Sequence, residues 1–187
     1  MIGIVLAGGA SSRFGGTPKG LIAFDGRPMA ERVANLLKAI CTDVFIETAP
    51  DAGYEALNLP IISAAPEHAG KGPLAGMAVG LAHAQTRAAF APCDMPLLTP
   101  DIYERLRTQA GRGGAYAQTS AGVEPLVAIL HARARSTLLE ALVGPRIPRT
   151  HAALDAAEAS PVTFADAQPF ANVNTPADLD RLSALAR

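Results

Sequence analysis

The chain has little of what several specialised protein classes require. Of its 187 residues two are cysteines, Cys41 and Cys93. They have neither the number nor the spacing of a disulfide framework or a zinc site, so both are expected to be reduced and buried. The four histidines, His68, His83, His131 and His151, are scattered, with no HExxH pattern and no cysteine at ligand spacing, and structural roles are expected for them. A GxSxG turn is absent, which argues against hydrolase chemistry. An excess of either charge is also lacking. The net charge is −1, with acids and bases interspersed, giving no basic field for nucleic acid and no polybasic membrane patch. No apolar run approaches the about 20 residues that cross a bilayer, and the N-terminus lacks the positive flank of a signal peptide. A cytoplasmic protein with small-molecule partners, no nucleic acid and no membrane is the expectation. Tryptophan is absent altogether, and that restricts nothing about function.

An apolar content of 49% over 187 residues suffices for one substantial core and is short for two, so residues 1–187 are expected to form a single domain. Short apolar runs alternate with amphipathic segments, the pattern of an α/β fold with a mostly parallel sheet covered by helices on both faces. Strands are expected near 2–6, 43–48, 60–63 and 88–92. Helices are expected near 28–40, with Pro28 in its first turn, and near 73–86 and 100–109. Gly111, Gly113 and Gly114 mark a turn before strands near 115–119 and 124–130 and a helix near 132–142. The segment from Pro145 to Ala159 shows no clear element and is a candidate mobile substrate loop. Thr175, Pro176 and Asp178 fit the capped start of a last helix whose apolar side is Leu179, Leu182 and Leu185.

Chemistry concentrates at two strand ends. The strand Ile2 to Leu6 runs into a loop holding Gly8, Gly9, Arg13, Gly15, Gly16 and Lys19. Glycine amides approach an anion closely and the two cations neutralise it, which points to a polyphosphate. This is no P-loop, because Gly20 follows Lys19 where that motif needs Ser or Thr to hold magnesium. Gly70, Gly72 and Ala75 spell GxGxxA, but no strand precedes them. The second strand end is Ala88 to Pro92, followed by Cys93 and Asp94. A lone carboxylate at the carboxyl edge of a parallel sheet can hold Mg²⁺ together with substrate phosphates. Capping of the turn before Thr99 is the structural alternative. Cations, glycine amides and one carboxylate are what nucleotidyl transfer needs, with no protein nucleophile. Gly76 and Gly80 suggest a close approach of backbone, helix or ligand. Asn172 and Asn174, flanking Val173 in a strand-like run, point to one side and either bind a polar ligand or cap the final helix.

Four segments, LAGGASSRFGGTPKGL at 6–21, GPLAGM at 72–77, PCDMPLL at 92–98 and NVNTPADL at 172–179, resemble the molybdenum cofactor guanylyltransferase family in order and across nearly the whole chain. The first is shared with nucleotidyltransferases at large; the last three narrow the resemblance. It implies a single Rossmann-like three-layer α/β/α domain that moves GMP from Mg-GTP to the terminal phosphate of molybdopterin. It further implies that Leu6, Ala7, Gly8 and Gly9 belong to the nucleotide-binding loop, with Arg13 as the loop's arginine. Lys19 matches the phosphate-binding lysine and Asp94 the magnesium ligand. Asn172, Asn174 and the Gly76 region match the acceptor side, so that the N-terminal part binds nucleotide and the C-terminal part the acceptor. Transient contact with molybdoenzymes or their chaperones is implied as well.

The chain departs from that pattern at Pro18, where many members carry Asp. It departs again at the end of the second strand, which reads Glu47, Thr48 and Ala49, and after the third, where Ser63, Ala64 and Ala65 lack an acid. Guanine recognition then falls to backbone groups of the loop or to Glu47. A related enzyme using CTP with molybdopterin, or a nucleoside triphosphate with a sugar phosphate, is the alternative. A noncatalytic nucleotide-binding module is a third reading, against which Asp94 argues.

Overall fold

Strand β1 (Ile2–Leu6) is apolar along its length and buried on both faces from Gly3 onward, as a central parallel strand must be. The computed structural model describes residues 1–8 and 16–185, and the elements below are those found among them. A short antiparallel hairpin, β2 (Ala23–Phe24) and β3 (Arg27–Pro28), leads into α1 (Met29–Lys38). There follow β4 (Val44–Glu47), β5 (Ile61–Ile62), α2 (Pro73–His83), β6 (Arg87–Pro92) and α3 (Pro100–Gln109). The second half contributes β7 (Gly114–Thr119), β8 (Gly122–His131), α4 (Ala134–Val143), α5 (Thr150–Ala156), β9 (Ala159–Phe164) and α6 (Pro176–Leu185).

Seven strands form one sheet in the order β5-β4-β1-β6-β8-β7-β9. All run parallel except β8, which pairs antiparallel with both β6 and β7. Alternation of side chains along each strand divides the core in two. Val5, Ala89, Ala91 and Ile129 face α1 and α3, while Ile4, Leu6, Phe90 and Ala128 face α2, α4 and α5. This is the α/β/α sandwich expected from the alternating pattern. Helix α2 lies directly on the sheet, since a Cβ at Gly80 would stand 2.8 Å from Phe90 and 2.9 Å from Ile4. A third, small core of Phe24, Met29, Val173 and Leu182 fastens α6 to the hairpin near the other end of the chain.

Three expectations are corrected. Pro145 to Ala159 is not a substrate loop along its length: it holds α5, whose Leu154 is fully buried in the second core, and reaches the first residue of β9. Pro28 closes the hairpin and precedes α1 rather than occupying its first turn. Cys41 is half-buried, whereas Cys93 is buried, and both are free thiols.

Candidate active site

The sheet reverses its winding between β1 and β6, and ligands of open α/β sheets bind outside the strand ends at such a point. Main-chain hydrogen bonds hold three strand ends side by side there. The Ala7 N–H donates to the Glu47 carbonyl at 2.8 Å and the Cys93 N–H to the Leu6 carbonyl at 3.0 Å. Beyond them opens a cleft of about 810 Å³ whose lining includes Leu6, Ala7, Gly8, Lys19, Glu47 and Asp94.

Lys19 stands at the start of a short 3-10 turn, Lys19–Leu21. Its ammonium forms an ion pair with Asp94 Oδ2 and donates to Asn174 Oδ1 at 2.6 Å. The Asp94 carbonyl in turn accepts the Val173 N–H at 2.9 Å. The lysine and aspartate side chains are 22% and 18% exposed, so the pair is largely desolvated yet open to a ligand. A turn after β1, the end of β6 and the segment before α6 thus close a ring of contacts. The segment is irregular rather than a strand, and Thr175 with Asp178 caps α6: the Asp178 N–H donates to Thr175 Oγ1 at 3.2 Å and the Thr175 N–H to Asp178 Oδ2 at 3.0 Å. The Asn174 side chain is therefore free of capping duty and meets Lys19 instead.

Tyr54, buried beneath the lysine turn, accepts the Gly20 N–H on its hydroxyl at 3.2 Å and is hydrogen-bonded to Cys93. Burial, aided by the charge of Asp94, pushes the Cys93 thiol up to about 12. It stays protonated at neutral pH and offers no nucleophile. On the other side of β1, Glu47 is 9% exposed. Desolvation pushes its carboxyl up to about 7, partly offset by a hydrogen bond from the Gly8 N–H. A Cβ at Gly76 on α2 would lie 2.5 Å from Glu47 Oε2.

The structure brings Leu6, Ala7, Gly8, Lys19 and Asp94 into one cleft, with Asn174 on Lys19. It places Gly76 against Glu47 and leaves Asn172 half-buried beside Val173. Gly9 and Arg13 lie outside the described residues. Sequence reasoning missed Tyr54, a lone aromatic in an irregular stretch with no pattern to mark it. It also missed the contact of Lys19 with Asn174, which no local signal carries. Gly70 and Gly72 line the cleft, preceded by the 3-10 turn Pro66–His68 rather than a strand, so the dinucleotide fingerprint does not apply.

The donor set suits Mg²⁺. Asp94 is a single carboxylate at a strand end that already faces a cation, and among the described residues no group of three or more His, Cys, Asp or Glu forms a metal cage. A hard ion held by one carboxylate completes its shell with water and phosphate oxygens.

A Rossmann-like sheet with a cation and a carboxylate sharing the crevice suits a nucleotidyltransferase, and the family match gives that class. Residues 3–162 match the family described as MobA-like NTP transferase domain. The chain is 37% identical over 183 residues to the molybdenum cofactor guanylyltransferase of Yersinia pseudotuberculosis serotype O:1b (strain IP 31758), covering 95% of this chain and 92% of that protein. The protein of that name from Yersinia pestis matches to the same extent. Among solved structures, molybdopterin-guanine dinucleotide biosynthesis protein A from Archaeoglobus fulgidus superposes with a TM-score of 0.77 at 23% identity, over 100% of this chain and 98% of that one. The 2-C-methyl-D-erythritol 4-phosphate cytidylyltransferase of Thermus thermophilus does so at 0.69 and 14%, over 98% of each. These two likenesses show the fold. The chain belongs to the MobA-like nucleotidyltransferase family, and it is an enzyme of molybdenum cofactor biosynthesis.

Proposed function

We propose that this chain transfers GMP from GTP to the terminal phosphate of molybdopterin, releasing pyrophosphate and forming molybdopterin guanine dinucleotide. The observation that carries the reading is the meeting of Lys19 and Asp94 at the crevice between β1 and β6. The names of its sequence relatives supply the acceptor and the base.

In the reaction an oxygen of the acceptor phosphate attacks the α-phosphorus in line. A new P–O bond forms, the bond to pyrophosphate breaks, and its electron pair leaves with pyrophosphate. Both reactants are anions, so charge neutralisation and alignment are the enzyme's task. Lys19 offsets charge on the triphosphate, Arg13 adds a second cation, and the amides of Gly8 and Gly9 fix the phosphate path. Asp94 would hold Mg²⁺, which when bound spreads the negative charge of the phosphate oxygens. Asn174 orients Lys19 and, with Asn172, receives the acceptor from the C-terminal side. The raised thiol of Cys93 is in keeping with direct transfer and no covalent enzyme intermediate. Delivery of the product by transient contact with molybdoenzymes or their chaperones, in the cytoplasm, belongs to the same reading.

A pyrophosphate-release assay with each nucleoside triphosphate and purified molybdopterin tests it. Release with GTP and molybdopterin together is the expected outcome. Release favouring CTP, or requiring a sugar phosphate, would replace the base or the acceptor. Tight GTP binding without release would reduce the protein to a binding module.

A further inference from the structure

Phosphoryl chemistry leaves Glu47 without a task, although it lines the same cleft as Lys19 and Asp94. It is 9% exposed, and among the described residues it forms no ion pair. Among the described residues its carboxylate accepts a hydrogen bond from the Gly8 N–H. An ionised carboxylate has about four acceptor positions, so among the described residues most of its capacity is unspent, at a residue that lines the cleft. Two elements make room for it. A Cβ at Gly76 would stand 2.5 Å from Oε2, and a Cβ at Gly8 would stand 3.2 Å from the same oxygen. Burying a carboxylate without a cation is costly, and two glycines that clear space for one at a ligand cleft mark a group kept for a ligand's N–H donors.

Its position agrees with that use. β4 and β6 flank β1, and Leu6 pairs with Glu47 on one side and Pro92 on the other. Glu47 therefore stands two strand spacings, roughly 10 Å, from the end of β6, and Asp94 follows two residues beyond that end. A nucleotide with its α-phosphate at Asp94 can lay its base toward β4. Resting on the reading that this cleft holds a nucleotide, we propose that Glu47 selects the base, its carboxylate accepting the adjacent ring N1–H and exocyclic 2-amino donors of guanine. Adenine and cytosine place a ring-nitrogen lone pair beside their amino group, and uracil flanks its N–H with carbonyls. Each of these sets lone pairs against the carboxylate. Hypoxanthine keeps N1–H but lacks the 2-amino group, which makes ITP the diagnostic probe.

The choice is tied to protonation. With the carboxyl pushed up to about 7, mild acid populates a neutral form that presents one donor and one acceptor. That is the complement of cytosine or adenine rather than guanine. Gly8 and Gly76, which touch Glu47, carry no charge; among the described residues the other titratable groups lining the cleft are Lys19, His68, Cys93 and Asp94. A Glu47→Gln variant keeps all of these and separates their titration from that of Glu47.

The experiment is calorimetric titration of the intact protein with Mg-GTP, Mg-ITP and Mg-CTP at pH 8 and pH 6, repeated with Glu47→Gln and Glu47→Ala. At pH 8 the wild-type protein is expected to bind GTP on the order of 10-fold tighter than ITP, the typical worth of a paired base contact. In both variants the ratio should fall to within about twofold. In the wild-type protein the preference for GTP over CTP should narrow at pH 6, and in Glu47→Gln it should not change between the two pH values. The wild-type pH series stands by itself if neither variant folds. A GTP-to-ITP ratio that survives in a folded Glu47→Gln protein, or a wild-type preference for GTP over CTP that ignores pH, overturns the proposal while leaving guanylyl transfer intact. Failure of the wild-type protein to bind any of the three nucleotides overturns both.

Discussion

The cleft holds two carboxylates at the ends of parallel strands, and the fold treats them oppositely. Asp94 is given a lysine, and its carbonyl is tied to the chain before α6. Glu47 on the other side of β1 is given one amide and the space cleared by two glycines. A carboxylate beside a cation is suited to managing charge, and one with no counter-ion among the described residues is suited to accepting hydrogen bonds from a neutral ring. On the proposed reading, the cleft divides phosphate binding from base recognition between these two carboxylates.

The sharpest way to break this contrast is at Lys19 and Asp94. Lys19→Ala or Asp94→Ala should leave the fold intact, as judged by thermal melting, and lower pyrophosphate release on the order of 100-fold or more, as loss of a charge stabiliser does. Near-wild-type turnover in either would remove its role.

The second test is stability against pH. The Glu47 carboxyl is raised from 4.5 to about 7 on folding, so the native state holds its proton more tightly than the unfolded chain. Glu47 costs no stability below pH 4.5, an increasing amount between 4.5 and 7, and its whole penalty above 7. Glu47→Gln should therefore stabilise the protein by about 1–3 kcal/mol at pH 8, measured by denaturant unfolding, with the gain vanishing below pH 4.5. A destabilised variant at pH 8 would mean that the buried charge is compensated. Gly76→Ala probes the same side by a different route: its methyl group meets the Glu47 carboxylate, which should cost about 1–3 kcal/mol of stability and weaken GTP binding.

Smaller effects refine the ring around Lys19. Tyr54→Phe removes the acceptor of the Gly20 N–H and should cost about 1 kcal/mol, read as a lower melting temperature. Asn174→Ala should reduce turnover several-fold while leaving stability nearly unchanged, since Asn174 is exposed and its side chain does not cap α6.

Legibility in the sequence followed the range of the signal. β1 and β6 are contiguous apolar runs ending in a glycine loop or an acid, so the strands and the candidate residues at their ends were readable together. α5 was not, because a helix of seven residues is too short to be stable without the tertiary burial of Ala153 and Leu154. β9 was not, because Pro161 interrupts it, a residue tolerated there since β9 is the sheet's last strand. The β2–β3 hairpin did leave a local mark, Asp25-Gly26, both with positive φ, the pair that two-residue hairpin turns favour.

Taken alone, the amino-acid sequence set the chemical inventory and its local placement: a strand, small residues with two cations behind it, and an aspartate at the end of a second strand. Backbone freedom and hydrophobic patterning act over a few residues, and that is the range over which they can be read. Tertiary packing brought Lys19 to Asp94 and Asn174, 75 and 155 residues away, and buried Glu47 with no ion pair among the described residues. Strand order and helix docking set those distances, and they arise from packing of the whole core rather than from any segment within it.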